Sequence, residues 1–341
     1  MKTIRYIFWL ALVAVLAGGA WLWLMLARPY QGFPTGGVFV EVARGARLRQ
    51  IAALLDEKGV VRSRVAFELF GRWRGQPLQA GEYFFNRPRT ADEVFRILAE
   101  GRIYTQTFTV PEGLTMFEIA DLVERSKLAN REEFLAAARD TSLIRDIAPR
   151  ARNLEGFLFP ATYQFLRRVT AHEVLAAMVR RFREVWSTLP NNPLPRGLSV
   201  EQVVTLASLV ESETGVADER PVIAGVFYNR LRLGMALECD PTVIYALELE
   251  GKYRGSLLRG DLRFPSLYNT YRHRGLPPGP IANVGEAALR AALEPAKTDY
   301  LYFVSDAQGG HFFSRTLREH NANVARYRRL QAEAVRGRNG K

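Results

Sequence analysis

The stretch LASLVESETG, residues 206–215, carries two glutamates, Glu211 and Glu213, at the end of an apolar run. Carboxyl groups can move protons, so the two are surface charges, a pair doing chemistry together, or one catalytic acid beside a bystander. Ser199 followed by Gln202 reads as a capping box, so a helix starts there. At 100° per residue, Glu201, Thr205, Ser208 and Ser212 gather within about 40° of one direction, with Val203, Leu206, Ala207 and Val210 on the far side. Glu213 then borders Leu206 and Val210, Glu211 borders Val204 and Ala207, and the two carboxylates diverge by about 200°. They cannot work as a dyad. Helix geometry leaves open which one acts, or whether both are border residues at a helix end.

Other chemistries find little support. The single cysteine, Cys239, excludes an internal disulfide and a cysteine-rich metal site, and it reads as a small packing residue. Of the four histidines, His172, His273, His311 and His320, the last two do not match the i, i+4 helical zinc pair. Downstream of the glutamates, polar and aromatic groups are dense. Asn229 and Arg230 are adjacent, Asp240 and Thr242 lie in DPTVIYAL, and Tyr268, Asn269, Thr270 and Tyr271 lie in the loop SLYNTYRHRGLPPGPIAN. Flat rings stack on pyranose faces and short amides read hydroxyls, so such loops suit sugars, and they suit ordinary turns equally.

These residues must be held by a sizeable scaffold. The 341 residues allow two domains, and 48% hydrophobic with 24% charged residues fits a globular chain. Residues 6 to 27 carry no charge and, as a helix, would span about 33 Å, enough for the hydrocarbon core. A cleaved signal peptide is the competing reading. The apolar run continues beyond the small residues 18–20, which favours retention, and no cysteine follows for lipid attachment. Lys2 and Arg5 precede the span and Arg28 follows it, a lean towards a cytoplasmic N-terminus. The net charge of +12, with a basic tail from Arg326 to Lys341, favours polyanions such as nucleic acid, anionic lipid or cell wall. A domain outside the cytoplasm meets little nucleic acid.

After a linker, residues 28–37, a near-repeat appears at an offset of 68 residues, aligning Val42 with Val110, Gly45 with Gly113 and Ile51 with Ile119. Each copy reads as a strand, a glycine turn and an amphipathic helix. A strand is expected around Tyr83 to Phe85, and helices from Thr90 to Gly101 and from Ala171 to Trp186. Asp218 is expected to cap a helix with Pro221 in its first turn and Gly234 at its end. Asp240 is expected to cap the next, with Pro241 at its first position, and residues 299–306 with GGHFFS suggest a hairpin.

The strand–glycine–helix copies resemble LysM-type modules, which bind peptidoglycan glycan. The long motifs EGFLFPATY, ASLVESETGVADERPVIAGVFYNRLRLGMALECDPTVIYAL, YNTYRHRGLPPGPIAN and PAKTDYLYFVSDAQGGHFFSRTLREHN are similar to those of the endolytic murein transglycosylases, the YceG-like family. Two departures are Val284, where the family usually has proline, and Cys239, where small polar residues are common. Neither is expected to touch the chemistry.

The resemblance implies an α+β fold: an N-terminal transmembrane helix, a small LysM-like domain and a larger α+β catalytic domain. The expected boundaries are 1–5 cytoplasmic, 6–27 transmembrane, 28–37 linker, 38–150 LysM-like and 151–341 catalytic. It makes Glu213 the catalytic acid, with no metal or cofactor, and assigns substrate contact to Asn229, Arg230, Asp240, Thr242, Tyr268, Asn269, Thr270 and Tyr271. The family implies peptidoglycan glycan strands as substrate, peptidoglycan synthases as partners, an inner-membrane location with the enzyme in the periplasm, and no nucleic acid. The rival reading is a non-catalytic wall-binding anchor.

Overall fold

The computed structural model describes residues 2–339, so the last two residues of the basic tail lie outside it. The fold is mixed α/β, divided into two compact units, Met1–Gln106 and Thr107–Lys341. This division is earlier than the expected boundary at 150, so the second strand–glycine–helix copy belongs with the larger unit.

The first unit runs α1 (Lys2–Ala27), β1 (Val38–Val42), α2 (Leu48–Glu57), α3 (Arg64–Arg74), β2 (Gly81–Phe85) and α4 (Ala91–Ala99). The stretch Ile4–Ala27 of α1 is long and apolar enough to cross a membrane. Strands β1 and β2 pair antiparallel with Val40 opposite Tyr83. Alternation sends Val40, Val42, Tyr83 and Phe85 inward, onto Ile51, Leu55, Phe67, Val94, Phe95 and Leu98. Thr90 caps α4 through a capping box with Glu93, as expected.

The second unit contains β3 (Gln106–Thr109), α5 (Met116–Arg125), α6 (Arg131–Ala137), β4 (Thr162–Phe165), α7 (Ala171–Thr188), α8 (Val200–Glu213), α9 (Arg220–Arg232), α10 (Asp240–Leu249), α11 (Glu286–Leu293), β5 (Tyr302–Ser305), β6 (His311–Ser314) and α12 (Leu317–Asn339). Strands β3 and β4 pair, and β5 and β6 form the expected antiparallel hairpin. The near-repeat is a repeat of structure. Helices α2 and α5 begin 68 residues apart, at Leu48 and Met116, and Gly45 and Gly113 make the preceding turns with φ of +77° and +80°.

Helix α8 is the axis of the larger unit. The predicted capping box is present, with Ser199 accepting from the Gln202 amide. Its apolar residues Val203, Leu206, Leu209 and Val210 are fully buried, each such burial contributing roughly 1.5–3 kcal/mol. Glu201, Thr205 and Ser208 of the polar stripe are buried and Ser212 is half-buried, and the stripe's hydroxyls bond back to the helix. Thr205 donates to the Glu201 carbonyl at 2.7 Å, Ser208 to Thr205 at 2.7 Å and Ser212 to Ser208 at 2.9 Å. Ser208 Oγ also accepts from the Ile281 amide at 3.0 Å, drawing the proline-rich loop against the helix. Gly156 permits that approach. A Cβ there would stand 2.5 Å from Pro280 Cβ and 2.9 Å from Val204 Cγ1.

Two predicted caps are corrected. Helix α9 follows a short 3-10 turn, Ala217–Glu219, and its N-cap position is Glu219, not Asp218. Helix α10 has Cys239 at its N-cap and Asp240 as its first residue. Asp240 does not cap because its Oδ1 accepts the Tyr271 hydroxyl at 2.6 Å.

Candidate active site

The two glutamates at the end of α8 meet different fates. Glu211 is locked in place: its side chain is 4% exposed, it pairs with Arg220 at 3.1 Å, and its Oε2 accepts the Gly285 amide at 3.0 Å. Arg220 is itself buried and reaches towards Glu112 at 3.9 Å.

Glu213 is the last residue of α8 and is half-buried, and the chain beyond it turns extended at Thr214. Burial pushes its carboxyl up from the usual range, and the charge of Asp240 pushes the same way. The Cys239 thiol donates a hydrogen bond that opposes the shift, as do His311 and Arg230. The C-terminal end of the helix dipole also disfavours a negative charge there. Gly215 and Asp240 are exposed and Tyr271 is half-buried. Burial and Asp240 raise the Tyr271 phenol, which therefore stays protonated and donates.

A frame holds Cys239 and Asp240 against Glu213. The Cys239 amide donates to Thr270 Oγ1 at 3.0 Å, Thr242 Oγ1 donates to the Cys239 carbonyl at 2.6 Å, and the two threonine hydroxyls meet at 3.0 Å. Arg230 donates to the carbonyls of Ala236 and Leu237 at 3.0 Å each and to Leu301 at 2.6 Å. Asn229 donates to the carbonyls of Thr298 and Tyr300 at 2.7 and 3.1 Å. Glu238, just before Cys239, has φ of +53°, a local strain that this frame maintains.

The residues expected to touch substrate therefore divide. Asp240, whose charge acts on Glu213, is exposed, and Tyr271, which donates to Asp240, is half-buried. Asn229, Arg230, Thr242 and Thr270 are buried, with their polar atoms bonded inside the frame. Asn269 is buried as well: its amide donates to the carbonyls of Leu262 and Phe264 and its Oδ1 accepts the Tyr271 amide. Tyr268 packs on Tyr245 with ring centroids 5.1 Å apart and feels the charges of Glu155, Arg152 and Glu201. Glu201 is at the opposite end of α8, about 18 Å along the axis from Glu213.

The YceG-like family profile matches residues 40–326. An endolytic murein transglycosylase from Bacillus subtilis is 34% identical over 92% of this chain and 91% of its own length. One from Streptococcus pneumoniae is 30% identical over 85% of this chain but only 58% of its own length. The crystal structure of a yceG-like protein from Listeria monocytogenes superposes with a TM-score of 0.55 at 31% identity, covering 85% of this chain and 99% of that one. This chain belongs to the YceG-like family.

Three features of this YceG-like chain escape a reading of its sequence. Cys239 is buried next to Glu213, and its thiol works against the upward shift of that carboxyl. Glu219 and His311 form a pair, with the ring Nδ1 2.7 Å from Glu219 Oε2 and the His311 amide donating to Oε1 at 2.8 Å. Thr214 Oγ1 joins them by donating to Glu219 Oε2 at 3.2 Å, which steadies the backbone just after Glu213. The third is a buried network. Glu155 accepts the Met116 amide at 3.0 Å and the Asn283 side chain at 2.6 Å, while Asn283 Oδ1 accepts the amides of Gly156 and Leu158. Glu155 and Asn283 sit in EGFLFPATY and PPGPIAN, so the motifs held a signal, but nothing local says that residues 128 apart meet.

Proposed function

We infer that this chain is an endolytic lytic transglycosylase that cleaves peptidoglycan glycan strands, with Glu213 as its one acid and base. The observation that carries the reading is a half-buried carboxyl that burial pushes up from its usual range, with the neighbouring glutamate locked in an ion pair. A hydrolase needs a second carboxylate to activate water or trap the sugar. A lytic transglycosylase uses the C6 hydroxyl of N-acetylmuramic acid instead. Glu213 donates its proton to the oxygen leaving C1, towards N-acetylglucosamine. The C6 hydroxyl then closes on C1, and the Glu213 carboxylate accepts its proton. The acid ends as it began and no water is consumed.

Accessible surface supports Asp240 and Tyr271 as candidates to touch the sugar, and Asp240 is suited to the positive charge that develops on the ring. Asn229, Arg230, Thr242, Thr270 and Asn269 act through the loops they hold. The two β-α-α-β segments fit a LysM-like role in gripping glycan. The charge bias around α1 supports a periplasmic catalytic unit tethered at the inner membrane, where synthases extrude new strands.

Mass spectrometry of products from uncrosslinked glycan tests the reaction. Full-length protein should yield 1,6-anhydromuramoyl ends. Products with only hydrolysed, reducing ends would show a water-using glycosidase, and an absence of products would favour a wall-binding scaffold.

A further inference from the structure

Helix α3 carries apolar residues on two faces. Ala66, Phe67 and Gly71 are buried in the first unit, while Val65, Leu69 and Trp73 stand 50%, 49% and 78% exposed on the other side. Recurring every fourth residue, the three share a stripe about 80° wide. Trp73 is the most exposed large apolar side chain among the described residues. A continuous stripe of this kind marks a surface that something covers.

The same compact unit says what covers it. Helix α1 packs its C-terminal end on α3 and α4, where Leu22, Leu24, Met25 and Leu26 become partly buried. Helix α3 therefore stands where the apolar span ends. Trp21 and Trp23 are exposed on that end of α1, at the level where indole rings collect at a membrane–water boundary. Arg28 follows the span, and Arg62, Arg64 and Arg72 flank the stripe, all exposed. Arg72 is paired with Glu68 at 2.6 Å, and the others add positive charge at headgroup level.

We propose that the outer face of α3 lies in the lipid interface, with Val65, Leu69 and Trp73 inserted at the acyl boundary and the arginines among anionic headgroups. The first unit is then fixed on the membrane at two places, the span and the α3 face, and does not swing on a single tether. This rests on reading α1 as a membrane anchor.

Spin labelling of the full chain in phosphatidylethanolamine–phosphatidylglycerol vesicles tests it. A nitroxide is placed at Leu69→Cys, at Val15→Cys within the span, and at Arg180→Cys on the exposed face of α7; the buried native Cys239 is controlled by labelling the unmutated chain. The label at 69 should collide more with oxygen, which partitions into lipid, than with an aqueous nickel chelate, as at 15, and the ratio should invert at 180. Adding Val65→Ser and Trp73→Ser should shift the label at 69 towards the nickel chelate. A lipid signal at 15 with an aqueous signal at 69 overturns the α3 proposal and leaves the anchor intact. Shielding of 69 from both reagents shows a protein partner and also overturns it. An aqueous signal at both 15 and 69 removes the anchor reading and this proposal with it.

Discussion

In the first β-α-α-β segment, β1 and β2 pair with each other and, with α2, α3 and α4, seal a core of their own. In the second, the equivalent elements are absorbed into the platform that carries Glu213. Phe108, Met116 and Ile119 share one core with Leu206, Val210 and Leu289. Gly45 turns in open space, whereas the Gly113 amide donates to the Asn283 carbonyl at 2.9 Å. The amide of Met116 is taken by Glu155, and Glu112 approaches Arg220, the partner of Glu211. The local code is shared, and long-range polar contacts decide which copy is built into the larger unit.

Charge pairs give the sharpest contrast. Glu211→Ala leaves Arg220 buried without its partner and should cost about 3–5 kcal/mol in chemical unfolding. Asp92→Ala in the first unit breaks its ion pairs with the much more exposed Arg74 and Arg96 and should cost at most about 1 kcal/mol. Equal losses would break the distinction between the two regions. Asn283→Ala comes next, since it strands the amides of Gly156 and Leu158, and a loss of roughly 2–4 kcal/mol is expected by the same measurement.

The buried acid of the second unit makes its stability depend on pH. Burial pushes Glu155 up to about 8 from its ordinary 4.5, so the folded state binds a proton that the unfolded state has released between those values. The stabilisation is complete below about pH 4.5 and is lost as pH rises through 8. Glu248, pushed up to about 7, adds in the same direction. Region-resolved hydrogen exchange, corrected for intrinsic rates, should show the second unit loosening between pH 5 and 8 while the first does not. Glu155→Gln should flatten most of that slope. The smallest effect separates the paired glycines. Gly45→Ala and Gly113→Ala should each cost about 1–2 kcal/mol, because both positions are left-handed. Only Gly113→Ala should also slow glycan cleavage, through Asn283, as melting curves beside turnover assays would show.

Local structure was legible in the sequence because its causes are local. Caps at Thr90 and Ser199, the glycine turns and the periodicity of α2, α5 and α7 depend on neighbours a few residues away. Asp218 and Asp240 misled because each resembles a cap while tertiary contacts place the helix start elsewhere. The wheel for α8 separated Glu211 from Glu213, but it could not show that the polar stripe was buried, since Ser208 depends on Ile281. The candidate site was half visible. Resemblance pointed to Glu213, while the surroundings supplied by Cys239, Glu219 and His311 come from segments that meet only in the folded chain. Asn229, Arg230 and Asn269 looked like sugar ligands by residue type, yet their donors bond loop carbonyls.

The most direct test compares Glu213→Gln with the unmutated protein on uncrosslinked glycan, counting 1,6-anhydro ends by mass spectrometry and checking folding by circular dichroism. Loss of the proton donor should cut their formation by roughly 10²–10⁴-fold in a protein that remains folded. Undiminished formation of anhydro ends by Glu213→Gln would contradict the assignment of Glu213 as the acid.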